Sequence, residues 1–530
     1  MQTRTVFNRD EAPTAGRGGK SVCALIIAGL FSRPNDVMDH PLLYEINTRC
    51  WLRDLSERHQ RDITLATVPA AEFAQWQKLG FTHIWLMGVW TTGDRARRMA
   101  INEPNLRRAY DDLIPGWREE DVAGSPYSIA AYEVPAALGG DAGLQSFRDQ
   151  LHQRGLKLML DFVPNHLGFD HPWLSEQPDL FVQSPVPIEG TFEQATATGT
   201  RWIANAKDPY FPPWSDVAQL DYRRAATRAA MQDLLLSVAA RCDGVRCDMA
   251  MLLLNEVFTQ TWGHLPIAES TPPTEFWTEA IPAVRQANPQ FLFLAEVYWG
   301  LESRMQSLGF DYTYDKQLYD DLIWRHTPGV QRRMLEAPPA YVAASAHFLE
   351  NHDEPRVANA LSLAEHRAAA LVILGLPGMR LLYEGQLTGA QIKAPVQLGR
   401  CPVEPPQPAV QKMYETLLTT LARTAVGHGT GVVLPPREAW PGNPTAGNFV
   451  VMQWLAAGRE FELVVVNLGP DRGQCYVPLR GPQLGEHNWI MRDQLGPETY
   501  RRVGSDLVAH GLYLDLPAHG AQLFHFEPQA

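Results

Sequence analysis

Four short stretches of this chain place ionisable side chains where an apolar run ends. Asp243-Gly-Val-Arg246-Cys-Asp248 sets an arginine and a carboxylate two residues apart. Alternation along a strand puts both on one face, where the guanidinium holds Asp248 ionised and lowers its pKa. An ionised, oriented carboxylate is what a nucleophile at a sugar carbon requires. Phe291-Leu-Phe-Leu-Ala-Glu296 runs apolar to a single acid. A carboxyl in that setting has its pKa raised and stays protonated near neutrality, as a general acid must. Glu350-Asn-His352-Asp353-Glu354 offers a further acid behind a histidine, and Asp161-Phe-Val-Pro-Asn165-His166 gathers polar groups at a fourth strand end.

Each stretch alone also fits a structural role: an ion pair at Arg246–Asp248, a helix cap at Glu296 or Asp353, a capped strand with a satisfied histidine at His166. Their joint occurrence, in order, is what a structural role does not explain. One ionised and one protonated carboxyl make the apparatus of glycoside hydrolysis. A third ionised acid can bind sugar hydroxyls and favour an oxocarbenium-like transition state.

The elements that must position these groups alternate from residue 42 onward. Strand-like runs occur at Leu42–Asn47, His83–Trp90, Leu156–Val163, Gly244–Ala250, Phe291–Val297, Gly309–Tyr312, Val342–Leu349 and near Met379–Tyr383. Helical stretches lie between them at Ala70–Leu79, Asp141–Arg154, Arg223–Ala240 and Glu365–Gly375. That order predicts an α/β chain closed as a (β/α)8 TIM barrel, whose active site forms at the C-terminal ends of the strands. The rhythm lapses from about 167 to 221, rich in Pro and aromatic residues. After about 430, short strands between turns read as an antiparallel β-domain. The expected organisation is therefore a catalytic barrel over 38–166 and 222–425, an inserted region over 167–221, and a C-terminal β-domain over 426–530.

Composition narrows the function. The chain has 530 residues, 45% apolar and 20% charged, with a net charge of −13. An acidic balance without a basic, aromatic-interleaved run argues against a nucleic-acid partner. No stretch approaches the ~20 apolar residues of a membrane span, so no membrane partner is expected. Oligomeric state is not legible. The six cysteines are scattered without CxxC spacing, which disfavours a zinc site or a disulfide framework; Cys242 and Cys247 read as buried thiols. Ser21–Phe31 has the length of a signal h-region, but Asp10 and Glu11 precede it and no A-x-A site follows. A cytoplasmic protein is expected, with secretion as the alternative. Residues 1–37, ahead of Met38, are expected to be an extension outside the fold.

Taken together, the motifs resemble those of the alpha-amylase family of retaining glycosidases and transglycosidases. DFVPNH (161–166), DGVRCD (243–248), FLAEV (293–297) and ENHDEPR (350–356) are similar to its motifs on strands three, four, five and seven, and AQLDY (218–222) to a further short one. The irregular region at 167–221 falls where that family inserts its domain B. The resemblance implies that Asp248 is the nucleophile that forms a β-glycosyl enzyme, Glu296 the general acid and then base, and Asp353 the carboxylate that binds ring hydroxyls. It implies that Arg246 orients Asp248, that His166 and His352 hydrogen-bond the sugar, and that Tyr127, in GSPYSIAAY (124–132), stacks on it.

The chain departs from the family pattern in places. Met251 and Leu252 stand where many amylases carry a Lys-His pair that contacts the next sugar, which predicts a different acceptor side. Asn165 matches a calcium-ligand position, but partner carboxylates are not identifiable in 167–221, so no cofactor or metal is expected to be required, with calcium as the alternative. The implied partner is a carbohydrate. The leading expectation is hydrolysis of α-glucosidic bonds in glucans, maltooligosaccharides or small α-glucosides; the alternative is transfer of a glucosyl or maltosyl unit to an acceptor other than water. Two further readings compete: a metal-dependent barrel hydrolase using His166 and His171, and a non-catalytic binding protein that would normally have lost one of the acids.

Overall fold

The computed structural model describes residues 40–529 apart from 266, 268–271, 456–457 and 482. The expectation for residues 1–37, and Cys23 with it, lies outside the described residues. Eight parallel strands close a barrel: β1 (Leu42–Asn47), β2 (His83–Met87), β3 (Lys157–Phe162), β4 (Gly244–Cys247), β5 (Leu292–Ala295), β6 (Tyr312–Tyr314), β7 (Ser345–His347) and β8 (Met379–Tyr383). Each strand pairs with its sequence neighbours, and β8 returns to β1 through Leu42–Arg380 to Glu45–Tyr383.

Alternation divides the strands between two cores. Leu43, Trp85, Met87, Met159, Leu292 and Leu294 fill the lumen. Ile46, Ile84, Leu86, Leu158, Leu160 and Phe293 face the surrounding helices. Strand β4 begins on Gly244 because no side chain fits there: a Cβ would stand 2.9 Å from the Leu292 carbonyl oxygen on β5.

Strands β2, β3 and β5 are shorter than their predicted runs, and β4, β6 and β7 differ for local reasons. The run at Gly309–Tyr312 yields β6 only from Tyr312, since Phe310 packs outward against Trp277 of helix Phe276–Ala287. Val342 belongs to a short helix, Pro339–Ala343, and β7 is Ser345–His347 alone. Strand β4 stops at Cys247; Met249 is left-handed, with φ +43°, and turns the chain into a 3-10 coil at Ala250–Leu253.

Between β3 and helix Ala225–Ala239, His166–Gly168 pairs antiparallel with Val217–Gln219. A three-stranded sheet of Gln183–Ser184, Gly199–Ala204 and Thr191–Thr196 lies between them in sequence. The C-terminal region holds a six-stranded antiparallel sheet, in spatial order Thr430–Leu434, Phe449–Leu455, Phe461–Asn467, Ala521–Pro528, Asn488–Asp493 and Thr499–Val503. No helix among the described residues is long and apolar enough to cross a membrane. Cys242 and Cys247 are buried free thiols.

The sheet is joined to the barrel by helix Leu363–Gly375. Trp454, fully buried, donates its indole N–H to the Gly375 carbonyl at 2.8 Å and packs edge-on to the His40 ring. Trp454→Ala is expected to lower the unfolding free energy by about 3–5 kcal/mol, read from urea denaturation. A loss below about 1 kcal/mol would show that this contact does not hold the two layers together.

Candidate active site

Arg246 organises the C-terminal mouth of the barrel. Its side chain points into the lumen from β4 and is fully buried. Nη1 donates to Asp248 Oδ1 at 2.7 Å and lies 3.8 Å from Asp161 Oδ1 at the end of β3. Nη2 stands 2.8 Å from Glu296 Oε2 but is not aligned to donate a hydrogen bond. The Nε–H donates to the Tyr314 hydroxyl at 3.3 Å. Asp161 is held in turn by the Trp85 indole at 3.2 Å. One guanidinium therefore serves three buried carboxyls from three strands.

Glu296 follows directly on β5. Its Oε1 accepts from the Tyr298 hydroxyl at 2.8 Å, and its Oε2 from the Met249 backbone N–H at 2.7 Å. The left-handed Met249 aims that N–H across from β4. A non-glycine residue in that region is strained, and strain of this kind collects at functional sites.

His352 joins the remaining groups. Its Nε2 is 3.0 Å from Asp353 Oδ2 and 2.7 Å from the Tyr127 hydroxyl, whose ring stacks on the imidazole at 5.3 Å. Its Nδ1 is 2.5 Å from Glu45 Oε1, on β1. The Asp353 side chain is half exposed, whereas Asp248 and Glu296 are buried. No helix begins at Asp353; the next one starts at Val357.

These positions set the charges. Burial lifts Glu296 to about 7, opposed by Arg246. Asp161 is likewise lifted by burial to about 7. Burial also raises Asp248 above its ordinary range, with Arg246 pulling the other way. The predicted lowering of Asp248 thus has the right sign for the arginine and the wrong net, because desolvation outweighs the ion pair. Asp353 differs: burial pushes it up, but His352 outweighs that and holds it well below the carboxylate range. Of the two carboxyls sharing the guanidinium, Asp248 alone receives an aligned N–H. One buried cation cannot stabilise both anions equally, so the arrangement favours an ionised Asp248 beside a protonated Glu296.

The structure brings together Asp248, Glu296, Asp353, Arg246, His352 and Tyr127. His166 stands apart from the carboxylates and meets this group through the Tyr127 backbone. The His166 ring packs on Trp214 at 5.3 Å, with Nδ1 3.3 Å from Asn165 Nδ2, and burial lowers its pKa to about 4. Met251 and Leu252 do not line an acceptor side: both are buried among the helix-facing apolar residues. Glu45 escaped the sequence reading, although LLYEIN carries a lone acid two residues from inward-facing Leu43, the same signal that marked Glu296.

The amide at the calcium-ligand position is already engaged. Asn165 Oδ1 accepts from Gln219 Nε2 at 2.9 Å, and Gln219 also donates to the Asn165 carbonyl at 3.0 Å. Gln219 thus occupies one acceptor site of the Asn165 amide oxygen and one of its carbonyl. Among the described residues there is no group of three or more His, Cys, Asp or Glu side chains able to hold a metal. His171 accepts from the Trp173 N–H through Nδ1.

Comparison with known proteins gives the same frame. The model of the alpha amylase catalytic domain matches residues 74–394. "Alpha-amylase MalA" of Haloarcula japonica is 25% identical over 51% of this chain and 37% of its own length. An "alpha-1,4-glucan:maltose-1-phosphate maltosyltransferase" of Myxococcus xanthus is 27% identical over 54% of this chain and 37% of its own. The chain thus matches well under half the length of these relatives. The crystal structure of the maltogenic alpha-amylase AmyB from Thermotoga neapolitana superposes with a TM-score of 0.63, at 18% identity, over 92% of this chain and 99% of that one.

Removing Arg246 should expose the cost of the anions it balances. Arg246→Ala is expected to lower the unfolding free energy by about 3–5 kcal/mol at pH 8. The loss should shrink at pH 5, where carboxyls lifted to about 7 are protonated and no longer need a counter-charge. Denaturant melts at the two pH values check this; an equal loss at both would contradict the assigned charges.

Proposed function

The chain belongs to the alpha-amylase family, and from that membership we propose that it hydrolyses α-glucosidic bonds of glucans, maltooligosaccharides or small α-glucosides by retaining double displacement. Asp248 attacks the anomeric carbon while Glu296 protonates the departing glycosidic oxygen. The resulting β-glycosyl enzyme is opened by a water that Glu296, now a base, deprotonates. Asp353 receives the ring hydroxyls and faces the positive charge that develops on the sugar. The observation that carries this reading is the shared guanidinium: it gives Asp248 an aligned, charge-assisted bond and gives Glu296 none.

Transfer to an acceptor other than water uses the same intermediate. It draws support from an aromatic pair just beyond the acid. Trp299, left-handed at φ +65°, packs edge-on to Tyr210 of the inserted region at 4.9 Å, and both rings are substantially exposed. Such rings offer apolar faces to a sugar, and Trp299 lies three residues after the group that protonates the leaving oxygen. The Myxococcus xanthus relative, named as a maltosyltransferase, fits the same alternative.

We further propose that the fold around Asn165 needs no calcium, on the strength of its amide pairing with Gln219.

Purified protein tested on soluble starch, maltooligosaccharides, sucrose, trehalose and aryl α-glucosides is expected to cleave at least one of them. Asp248→Asn should reduce that rate by about a thousandfold or more. Turnover unchanged in this variant would sink the mechanism. Chromatography of products from maltooligosaccharides separates the two outcomes: glucose and maltose alone mean hydrolysis, and longer chains mean transfer.

The pH dependence follows from Glu296. Only its protonated form can act as the acid, so kcat/KM should fall as pH rises through about 7. Glu296→Gln should abolish that limb along with most of the rate. Dialysis against EDTA is expected to leave both activity and melting temperature unchanged; a clear drop in either would overturn the calcium-free reading.

A further inference from the structure

Glu45 is a fully buried acid on β1 that no step of the reaction above uses. It shares the lumen-facing side of the strand with Leu43. Its Oε1 meets His352 Nδ1 at 2.5 Å, while its Oε2 is buried without a hydrogen-bond partner. A buried carboxylate half satisfied in this way is costly unless a cation stands beside it. The nearby guanidiniums are committed elsewhere: Arg246 to Asp248 and Glu296, Arg356 to Glu350. His352 supplies the charge.

The two ring nitrogens of His352 support this on geometry alone. Nδ1 faces a carboxylate oxygen of Glu45, and Nε2 faces one of Asp353 at 3.0 Å. A neutral ring with its proton on Nδ1 would accept the Tyr127 hydroxyl at Nε2 and leave Glu45 with no cation beside it; the imidazolium sets its charge between the two carboxylates, both within ion-pair distance. The other groups around the ring are the Trp85 indole edge, the stacked Tyr127 with its hydroxyl on Nε2, and the Asp161 and Asp248 carboxyls farther off.

We propose that Glu45 is a positioning residue that acts through His352: it locks an imidazolium between β1 and Asp353, and so fixes the pose and charge of the carboxylate that receives the sugar. The proposal rests on the reading of Asp353 given above for its functional consequence, though not for the state of His352. Burial alone would discharge this histidine, yet Asp353 and Glu45 together hold its proton well above the ordinary range. The half-exposed Asp353 is thereby kept ionised while still free to meet ring hydroxyls.

The test compares wild type with Glu45→Gln and Glu45→Asp in the full chain. The first keeps the shape and removes the charge; the second keeps the charge on a shorter stem. In wild type the alkaline limb of log kcat/KM should fall with a slope of one, from Glu296. In Glu45→Gln it should steepen towards two, as His352 loses its proton near its ordinary value of about 6.5. The rate at pH 8 should then drop about thirtyfold relative to wild type. Glu45→Asp should retain the single slope. A variant that only disturbs packing lowers the rate evenly across pH, and a slope of one in Glu45→Gln would overturn the proposal.

A second readout needs neither turnover nor a folded variant at Glu45. In histidine-labelled wild-type protein, the His352 ring resonance, assigned by its loss in His352→Asn, should keep imidazolium shifts up to pH 8. Titration near pH 6.5 (about the free imidazole value) would overturn the proposal even if every glucoside were turned over. Failure of wild type to cleave any α-glucoside would instead sink the proposed function and leave the state of His352 decided by this measurement.

Discussion

A guanidinium with no exposed surface, set among carboxyls from three strands, is the constraint to which the mouth of this barrel is built. Arg246 cannot be deprotonated and cannot reach water. Its desolvation is tolerable only because Asp248, Glu296 and Asp161 stand around it, and their burial is tolerable only because it is there. The strands follow from that need. Each must end at the same height so that side chains from β3, β4 and β5 converge, and the registers of β4 with β3 and β5, which set Arg246 beside Asp161 and Leu294, deliver that convergence.

The same scarcity of positive charge separates the carboxyls chemically. Desolvation acts on all of them, but Asp248 has an aligned arginine N–H, Glu296 has neutral donors, and Asp353 has a histidine. Three acids of one chemical type thereby acquire three different tendencies to hold a proton. Such divergence is what lets two carboxyls divide the tasks of nucleophile and acid at one pH. The strained backbone at Met249 belongs to this scheme, since it converts a residue with no polar side chain into a donor for Glu296.

Much of this was legible in the sequence, for a physical reason. Strands buried on both faces run apolar, so an ionisable residue at the end of FLFLAE or within DGVRCD stands out against the background. The eight-strand rhythm is visible for the same reason. Features set by backbone direction were not legible. Met249–Leu254 looks like a strand continuing into the site, but a left-handed residue folds it away, and Met251 and Leu252 enter the helix-facing core. Helices Asp94–Asn102 and Pro104–Leu113 carry few apolar residues, and no long hydrophobic run marks them. The net pKa of Asp248 needed the depth of burial, which spacing does not encode.

Glu45 shows where a motif-based reading ends and one based on charge begins. Its neighbours in LLYEIN carry no recognisable catalytic pattern, and the strand is too far from Asp353 in sequence for any spacing rule to link them. The link is made by the barrel itself, which closes β8 onto β1 and brings residue 45 within reach of residue 352. Once closed, the lumen holds more acids than cations, and each added carboxyl must either take up a proton or recruit one nearby. A histidine between two acids is the economical answer, because the charge it gains stands beside both. The charge on the sugar-binding acid is then determined as much by the first strand of the barrel as by the seventh.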